Sequence, residues 1–261
     1  MPLTRRELED LRQAKRLLEN PGLAARLSAT LGSPIEKGMK MLPAKWQKTV
    51  NQATEAALMK ALDVAVRTRG EAKPMAASSD RMHRIGAATS GAIGGAFGVA
   101  AIGIELPIST TLILRSIADI AAAEGENPKH LETKLACLMV FALGSGRDRA
   151  DDATESGYFA ARTALAGAVS EASKYLAQKG LGKGGAPALV RLVSLIASRF
   201  GVVVSQKSAA QLIPVLGAAG GAIINTLFIA HYQDMARGHF LVRRLEKIHG
   251  QEPVQKAYEG L

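Results

Sequence analysis

Two stretches of this chain carry no charge and more glycine than an isolated helix tolerates. Residues 85–104 read IGAATSGAIGGAFGVAAIGI, and residues 208–230 read SAAQLIPVLGAAGGAIINTLFIA. Each interior glycine weakens a helix by roughly 1 kcal/mol relative to alanine, so tertiary packing has to compensate. The spacing suggests how it does so. Gly91 with Gly95, Gly94 with Gly98, and Gly217 with Gly221 each lie four residues apart, making small-residue faces that admit a second backbone. The two segments are therefore expected to form central helices that face each other, with Gly94 and Gly221 at close helix contacts.

The remaining chain has helical periodicity. Thr4 and Glu7 have the spacing of a capping box, and Leu8, Leu11, Leu17 and Leu18 continue one apolar stripe to a stop at Asn20-Pro21-Gly22. Short helical pieces follow, divided by Pro34 and Pro43, and a longer helix is expected from about Val50 to Arg67. Pro107 suits the first turn of a helix reaching about Ala123, and Leu131 to Leu143 is a further apolar helix. GSGRDRADDATESG and KGLGKGGAP read as connectors around a helix from Tyr158 to Gln178. A helix from Pro187 to about Phe200 and a charge-rich one from His231 to His249 complete the pattern, while GVVVS is too isolated to make a sheet. The fold class implied is all-α, a multi-helix bundle with two central glycine-rich apolar segments. Residues 1–49 are expected to form an amphipathic helical region packed on a helical domain of residues 50–261.

Composition narrows the function. The formal net charge is +10, yet aromatic residues make up only 4% and do not interleave with the basic ones, so no nucleic-acid partner is expected. The densest basic runs, Arg5 to Arg16 with Glu7, Glu9 and Asp10 among them, and Arg243, Arg244 and Lys247, read as solvated helix faces or as a patch for acidic lipid. Cys137 is the only cysteine, and the N-terminal twenty residues lack the apolar core of a secretory signal, so a reducing cytoplasmic setting is expected.

No catalytic string stands out. Gly180-Leu-Gly182-Lys-Gly184-Gly185 satisfies GxGxxG, but it follows a helix end where the dinucleotide fingerprint needs a strand. Neither a GxxxxGK[ST] loop nor a GxSxG elbow occurs, and none of the five histidines has zinc-site spacing, so no cofactor or metal is expected. What needs explanation is a set of polar residues in apolar surroundings. Arg115 and Asp119 are four apart in PISTTLILRSIADIAAA and are expected to be buried partners, extended by Glu105 or by a group on the late helix. Asn225 interrupts the second uncharged segment and needs a partner of its own, while His231 and Asp234 lie one turn apart with His239 further round the helix. Together Glu105, Arg115, Asp119, Asn225, His231, Asp234 and His239 are either inter-helix pairs or the lining of a polar site.

Glu105-Leu-Pro107, then Arg115-Ser-Ile-Ala-Asp119 and Glu124-Gly-Glu126, resembles the EcsC protein family. Ile213-Pro-Val-Leu-Gly-Ala218, with Gly221-Ala222, Asn225, Phe228 and His239-Phe240, is similar to its C-terminal half, and the likeness spans roughly residues 50–259. The family is named for a protein encoded beside the ATPase and membrane subunits of a bacterial ABC transporter. The resemblance therefore implies a bacterial, membrane-peripheral accessory or regulatory role in transport, secretion or the envelope, with an anionic membrane surface or a membrane protein such as an ABC transporter as partner. It brings no catalytic residues with it. The alternative is a hydrolase or metal-dependent enzyme whose site gathers the seven polar residues between the central helices.

Overall fold

The structure, a computed structural model, describes residues 3–19, 22–32, 34–43, 45–67, 102–143, 157–179, 186–213 and 217–261. Among them the chain forms ten helices and no strand. The first four are α1 (Arg5–Glu19), α2 (Leu23–Leu31), α3 (Ile35–Met41) and α4 (Trp46–Arg67). Then come α5 (Ile102–Ala123), α6 (Leu131–Leu143), α7 (Gly157–Lys179), α8 (Pro187–Gln211), α9 (Gly217–His249) and α10 (Gln251–Glu259). Residues 85–101 of the first glycine-rich segment, with Gly94 and its expected contact to the second, lie outside the described residues, as do residues 144–156 and 180–185 of the two glycine-containing connectors.

Local chemistry sets the helix ends. Thr4 donates its backbone N–H to Glu7 Oε2 at 2.7 Å, and Thr4 Oγ1 accepts from the Glu7 N–H at 3.3 Å, so the capping box is formed. Gly32 ends α2 with φ 61°, a left-handed conformation suited to glycine. Pro34 then precedes α3, whose Ile35 and Gly38 turn inward. Three boundaries differ from the sequence reading. Helix α4 starts at Trp46 and runs through the expected 49/50 division, and α5 starts at Ile102, one turn before Pro107. Helix α8 continues through GVVVS to Gln211, because Gly201 costs little where α4 crosses it: a Cβ there would stand 3.2 Å from Asn51 Oδ1 and 3.4 Å from Val50 Cγ1. The second uncharged segment is consequently split. Residues 208–211 finish α8, whereas residues 217–230 open α9, with Pro214 between them.

Contacts along the helices give their directions. Helix α9 is 33 residues long and runs parallel to α5: Gln233 bonds Ser116, and eleven residues further on Arg244 bonds Glu124. Helix α1 lies antiparallel along the second half of α9, with Asp10 on Arg244 and Glu7 on His249. Helix α4 is antiparallel to α8, as Ser194 bonds Glu55 while Gly201 sits beside Val50. The main core fills the space among α2–α9, with Phe141, Phe200, Phe228 and Tyr232 packed ring on ring at its centre. A smaller core joins α1, α7, α9 and α10 through Leu11, Ala14, Tyr158, Phe159, Leu241 and Tyr258. Cys137 is buried in α6, which pushes its thiol up to about 12.

Two glycines permit the closest helix contacts described. A Cβ on Gly38 would lie 2.1 Å from the carbonyl oxygen of Ala209, so α3 rests directly on the last turn of α8. On Gly238 it would lie 2.6 Å from Leu18 Cγ and 3.1 Å from the Ala14 carbonyl oxygen, where α1 crosses α9. Gly221 is buried near the start of α9. The backbone under Gly38 would have to move much further than that beside Gly238, where the nearest group is a side chain. Gly38→Ala should therefore destabilise by about 2–3 kcal/mol and Gly238→Ala by about 1 kcal/mol, read from urea unfolding at constant m. Equal and negligible losses would show that neither glycine sets a helix spacing.

Candidate functional site

The most deeply buried ion pair among the described residues joins three helices at one end of the bundle. Lys207, near the end of α8, is 3% exposed and donates to Glu105 Oε1 at 2.5 Å and to Asn225 Oδ1 at 2.8 Å. Its ammonium also lies 4.7 Å from the centre of the Phe228 ring. Burial lowers the Lys207 pKa and the Glu105 carboxylate opposes that shift, leaving it net below the ordinary lysine value. Glu105 stands in the first turn of α5, where the helix dipole favours a carboxylate. Asn225 thus has a side-chain partner, as its position required, and that partner is a lysine the sequence reading passed over.

Further along α9 the polar residues separate instead of converging. Gln233 donates to Ser116 on α5 at 2.8 Å. Asp234 accepts from Arg26 of α2 at 2.8 Å and from Arg237 at 3.3 Å. His239 meets the Tyr158 hydroxyl through Nδ1 at 3.0 Å, and Arg162 donates to that hydroxyl at 3.2 Å while gripping both oxygens of Glu246 at 2.7 and 2.9 Å. Burial, reinforced by Arg162 and Arg243, holds the His239 imidazole well below its ordinary pKa, so it is neutral at physiological pH. His231 is buried beside the Tyr232 ring.

The expected buried pair of Arg115 and Asp119 is not a buried pair. Arg115 is exposed and Asp119 half-buried. Helical periodicity explains the difference. Ile108, Arg115, Asp119 and Ala122 recur at intervals of seven, four and three, and this stripe is the least buried side of α5, so a helix of nearly all apolar composition still leaves one side outside. An ion pair at such a site is worth about 1 kcal/mol or less, and Asp119 does not carry the cost of a desolvated charge. The seven candidates therefore divide among a buried triad (Glu105, Asn225), an outer stripe (Arg115, Asp119) and three separate places along α9 (His231, Asp234, His239). The open cleft of about 420 Å³ beside α1 is lined by Arg12, Lys15, Arg16, Glu19 and Leu261, and so includes none of them. Among the described residues no group of three or more His, Cys, Asp or Glu side chains is placed to hold a metal.

The turn after α5 supplies a further set of ion pairs. Glu126 is buried and accepts from Arg243 at 3.0 Å, from Lys247 at 2.8 Å and from the Thr133 hydroxyl at 3.1 Å. Burial raises its pKa, but the hydrogen bonds from Lys247 and Arg243 outweigh that and hold it below the usual carboxylate range. Arg243 reaches Glu132 as well, and Arg244 bridges Glu124 and Asp10 at 2.7 Å each. With this, each polar stretch of the family-like sequence has a place in the fold. The pattern of the EcsC protein family matches residues 5–245. The chain belongs to the EcsC family. No curated protein and no solved structure matches it. The match begins about 45 residues before the span of the motifs that carry the resemblance, so in this EcsC protein α1 to α3 fall within the family's extent. Among the motif residues, Glu105 ties α5 to Lys207 of α8, Asn225 ties α9 to the same lysine, and Glu124 and Glu126 tie the turn after α5 to α9.

Removing one member of the buried pair leaves an uncompensated charge. Lys207→Met or Glu105→Gln alone should lower stability by about 3–5 kcal/mol, and the double variant should recover much of that loss. Additive losses in the chemical-denaturation cycle would dissolve the pairing. His239 gives a pH signature. Its folded pKa is depressed, so below about pH 6.5 the unfolded chain binds the proton that the fold refuses, and stability falls with acid by up to about 1.4 kcal/mol per pH unit. His239→Gln should flatten that slope between pH 6.5 and 5; an unchanged slope would assign it to another group.

Proposed function

We propose that this EcsC-family chain is a non-enzymatic accessory or regulatory protein that works peripherally at the inner face of the bacterial cell membrane, serving transport, secretion or envelope functions. Its partner is an anionic membrane surface or a membrane protein of the ABC-transporter kind. The observation that carries this reading is the fate of the polar residues. Among the described residues Glu105 and Asn225 meet at Lys207, Asp234 and His239 are engaged elsewhere in contacts with other helices, and the cleft beside α1 is lined by none of them. A hydrolase or metal enzyme using these groups would need them gathered on an accessible surface, and a neutral, fully buried imidazole is poorly placed to exchange protons with substrate.

Peripheral attachment fits the helices better than spanning. Helix α8 and the Glu105–Ala123 part of α5 are long and apolar enough to cross a bilayer, but 50% of the α5 window and 56% of the α8 window are covered by the rest of the protein. Core helices of a water-soluble bundle have the same character. Both also carry charge, with Glu105, Arg115 and Asp119 on α5 and Arg191, Arg199 and Lys207 on α8, which hydrocarbon disfavours. In fractionated cells the protein should leave the membrane fraction in high salt, as electrostatic adhesion does. Retention through both salt and alkaline carbonate would replace this reading with an inserted hairpin, and a purely soluble distribution at low salt would remove the membrane from it.

A further inference from the structure

The basic surface of this protein is not uniform. In the C-terminal run, Arg243, Arg244 and Lys247 all meet carboxylates from α1, α6 or the turn between α5 and α6. Those cations are spent on the fold. On α1, Arg5, Arg6, Arg12 and Arg16 are exposed, but Glu9 and Glu19 are exposed among them and no large apolar side chain of that helix stands out into solvent. The corner made by α3 and the entry to α4 is different. Lys37, Lys40, Lys45 and Lys48 are all exposed there, and among the described residues none of them makes an ion pair. Glu36 is the only acid between Pro34 and Thr49.

Between those lysines stand two large apolar side chains in solvent, Met39 at 40% and Met41 at 58% exposure. Helix α3 has only seven residues and spends its inward side, Ile35 and Gly38, on the end of α8. Among the described residues no core side chain is taken from its outward side, where Glu36, Lys37, Lys40 and Met41 are exposed. Ala209, under Gly38, is two residues from Lys207, so this corner stands at the same end of the bundle as Lys207 and its partners Glu105 and Asn225, and Ile108 and Ile223 are exposed within about one helical turn of that level. Unpaired ammonium groups around protruding flexible thioethers match the chemistry of an anionic lipid interface, where lysines meet headgroups and methionines enter the acyl boundary.

We infer that the exposed surface of α3 and the entry to α4, where Met39 and Met41 flank the outward Lys37 and Lys40 and Lys45 and Lys48 follow, is the surface by which this protein docks on an anionic membrane; the inference rests on the membrane reading above. The full chain should float with vesicles containing about one-third phosphatidylglycerol and not with phosphatidylcholine alone. Lys40→Glu/Lys45→Glu and Met39→Ser/Met41→Ser should each reduce partitioning roughly tenfold or more, without moving the thermal midpoint, whereas Arg12→Glu/Arg16→Glu on α1 should change it far less. A second readout reports contact directly. Because Cys137 is buried, a polarity-sensitive fluorophore on Met41→Cys labels that position selectively; its emission should shift to the blue with the anionic vesicles, and the same label on Ile248→Cys, at the far end of α9, should not respond. If wild type floats but the α3 variants float equally well, the docking face is wrong and the membrane reading survives. If wild type floats with no vesicle, the docking face falls together with the lipid partner, and a membrane protein is left as the partner in the proposed function.

Discussion

Helix α9 imposes the constraint on which the rest of the structure depends. At 33 residues it is roughly 50 Å long, and its buried flank carries a polar group every seventh residue: Asn225, Tyr232, His239 and Glu246. Seven residues are nearly two turns, so the four lie along one line. Three of them meet a partner on a different helix: Lys207 of α8 for Asn225, Tyr158 of α7 for His239 and Arg162 of α7 for Glu246. Apolar packing alone would leave α9 free to slide by a turn at small cost. The directional contacts do not, because a slip would strand buried polar atoms, each costing about 1–3 kcal/mol or more. Register is thus set by hydrogen bonds, and cohesion by the aromatic cluster around Tyr232.

That division of labour accounts for what the sequence could and could not show. Helices α1, α2, α6 and α7 were legible because their ends are written in local chemistry: the Thr4–Glu7 box, the left-handed Gly32, and Gly or Pro near each boundary. The extent of α8 was not, since Gly201 reads as a stop unless one knows that α4 crosses there. Of the polar residues, Asn225 announced itself by interrupting an uncharged run, but its partner Lys207 stands at that run's edge and looked like a boundary. Arg162 and Glu246 looked like ordinary charged positions on amphipathic helices. Their pairing spans 84 residues of sequence, and only the sevenfold spacing on α9 hinted at it. Arg115 and Asp119 failed in the opposite sense, because an apolar composition was taken as burial on all sides when the helix in fact leaves one stripe outside.

The same distinction between spent and available groups bears on function. A positive net charge says little about partners until the cations already neutralised within the fold are set aside. Here the basic run that is densest in sequence, around Arg243, is internal wiring between α9 and the acidic turn after α5. The lysines of α3 and the entry to α4 are more thinly spread in sequence, yet they remain unneutralised by the described structure and flank exposed methionines. Charge that has no structural task and is joined to apolar surface that has none is a more specific feature than net charge alone.

The buried Lys207 pair connects that corner with the core. Glu105 opens α5, Asn225 lies near the start of α9 and Lys207 lies near the end of α8, so one ammonium group ties together three helix termini at the end of the bundle that carries α3. A hydrophobic trio of the same volume could hold those termini as strongly, since desolvating a lysine and a carboxylate offsets most of their attraction. What an ion pair adds is angular and positional definition: the ammonium must reach two acceptors at once, and that fixes how α5 and α9 enter the bundle. Helix α3 rests on Ala209, two residues from that ammonium, so the group that orders the three termini lies directly beneath the helix proposed to face the membrane.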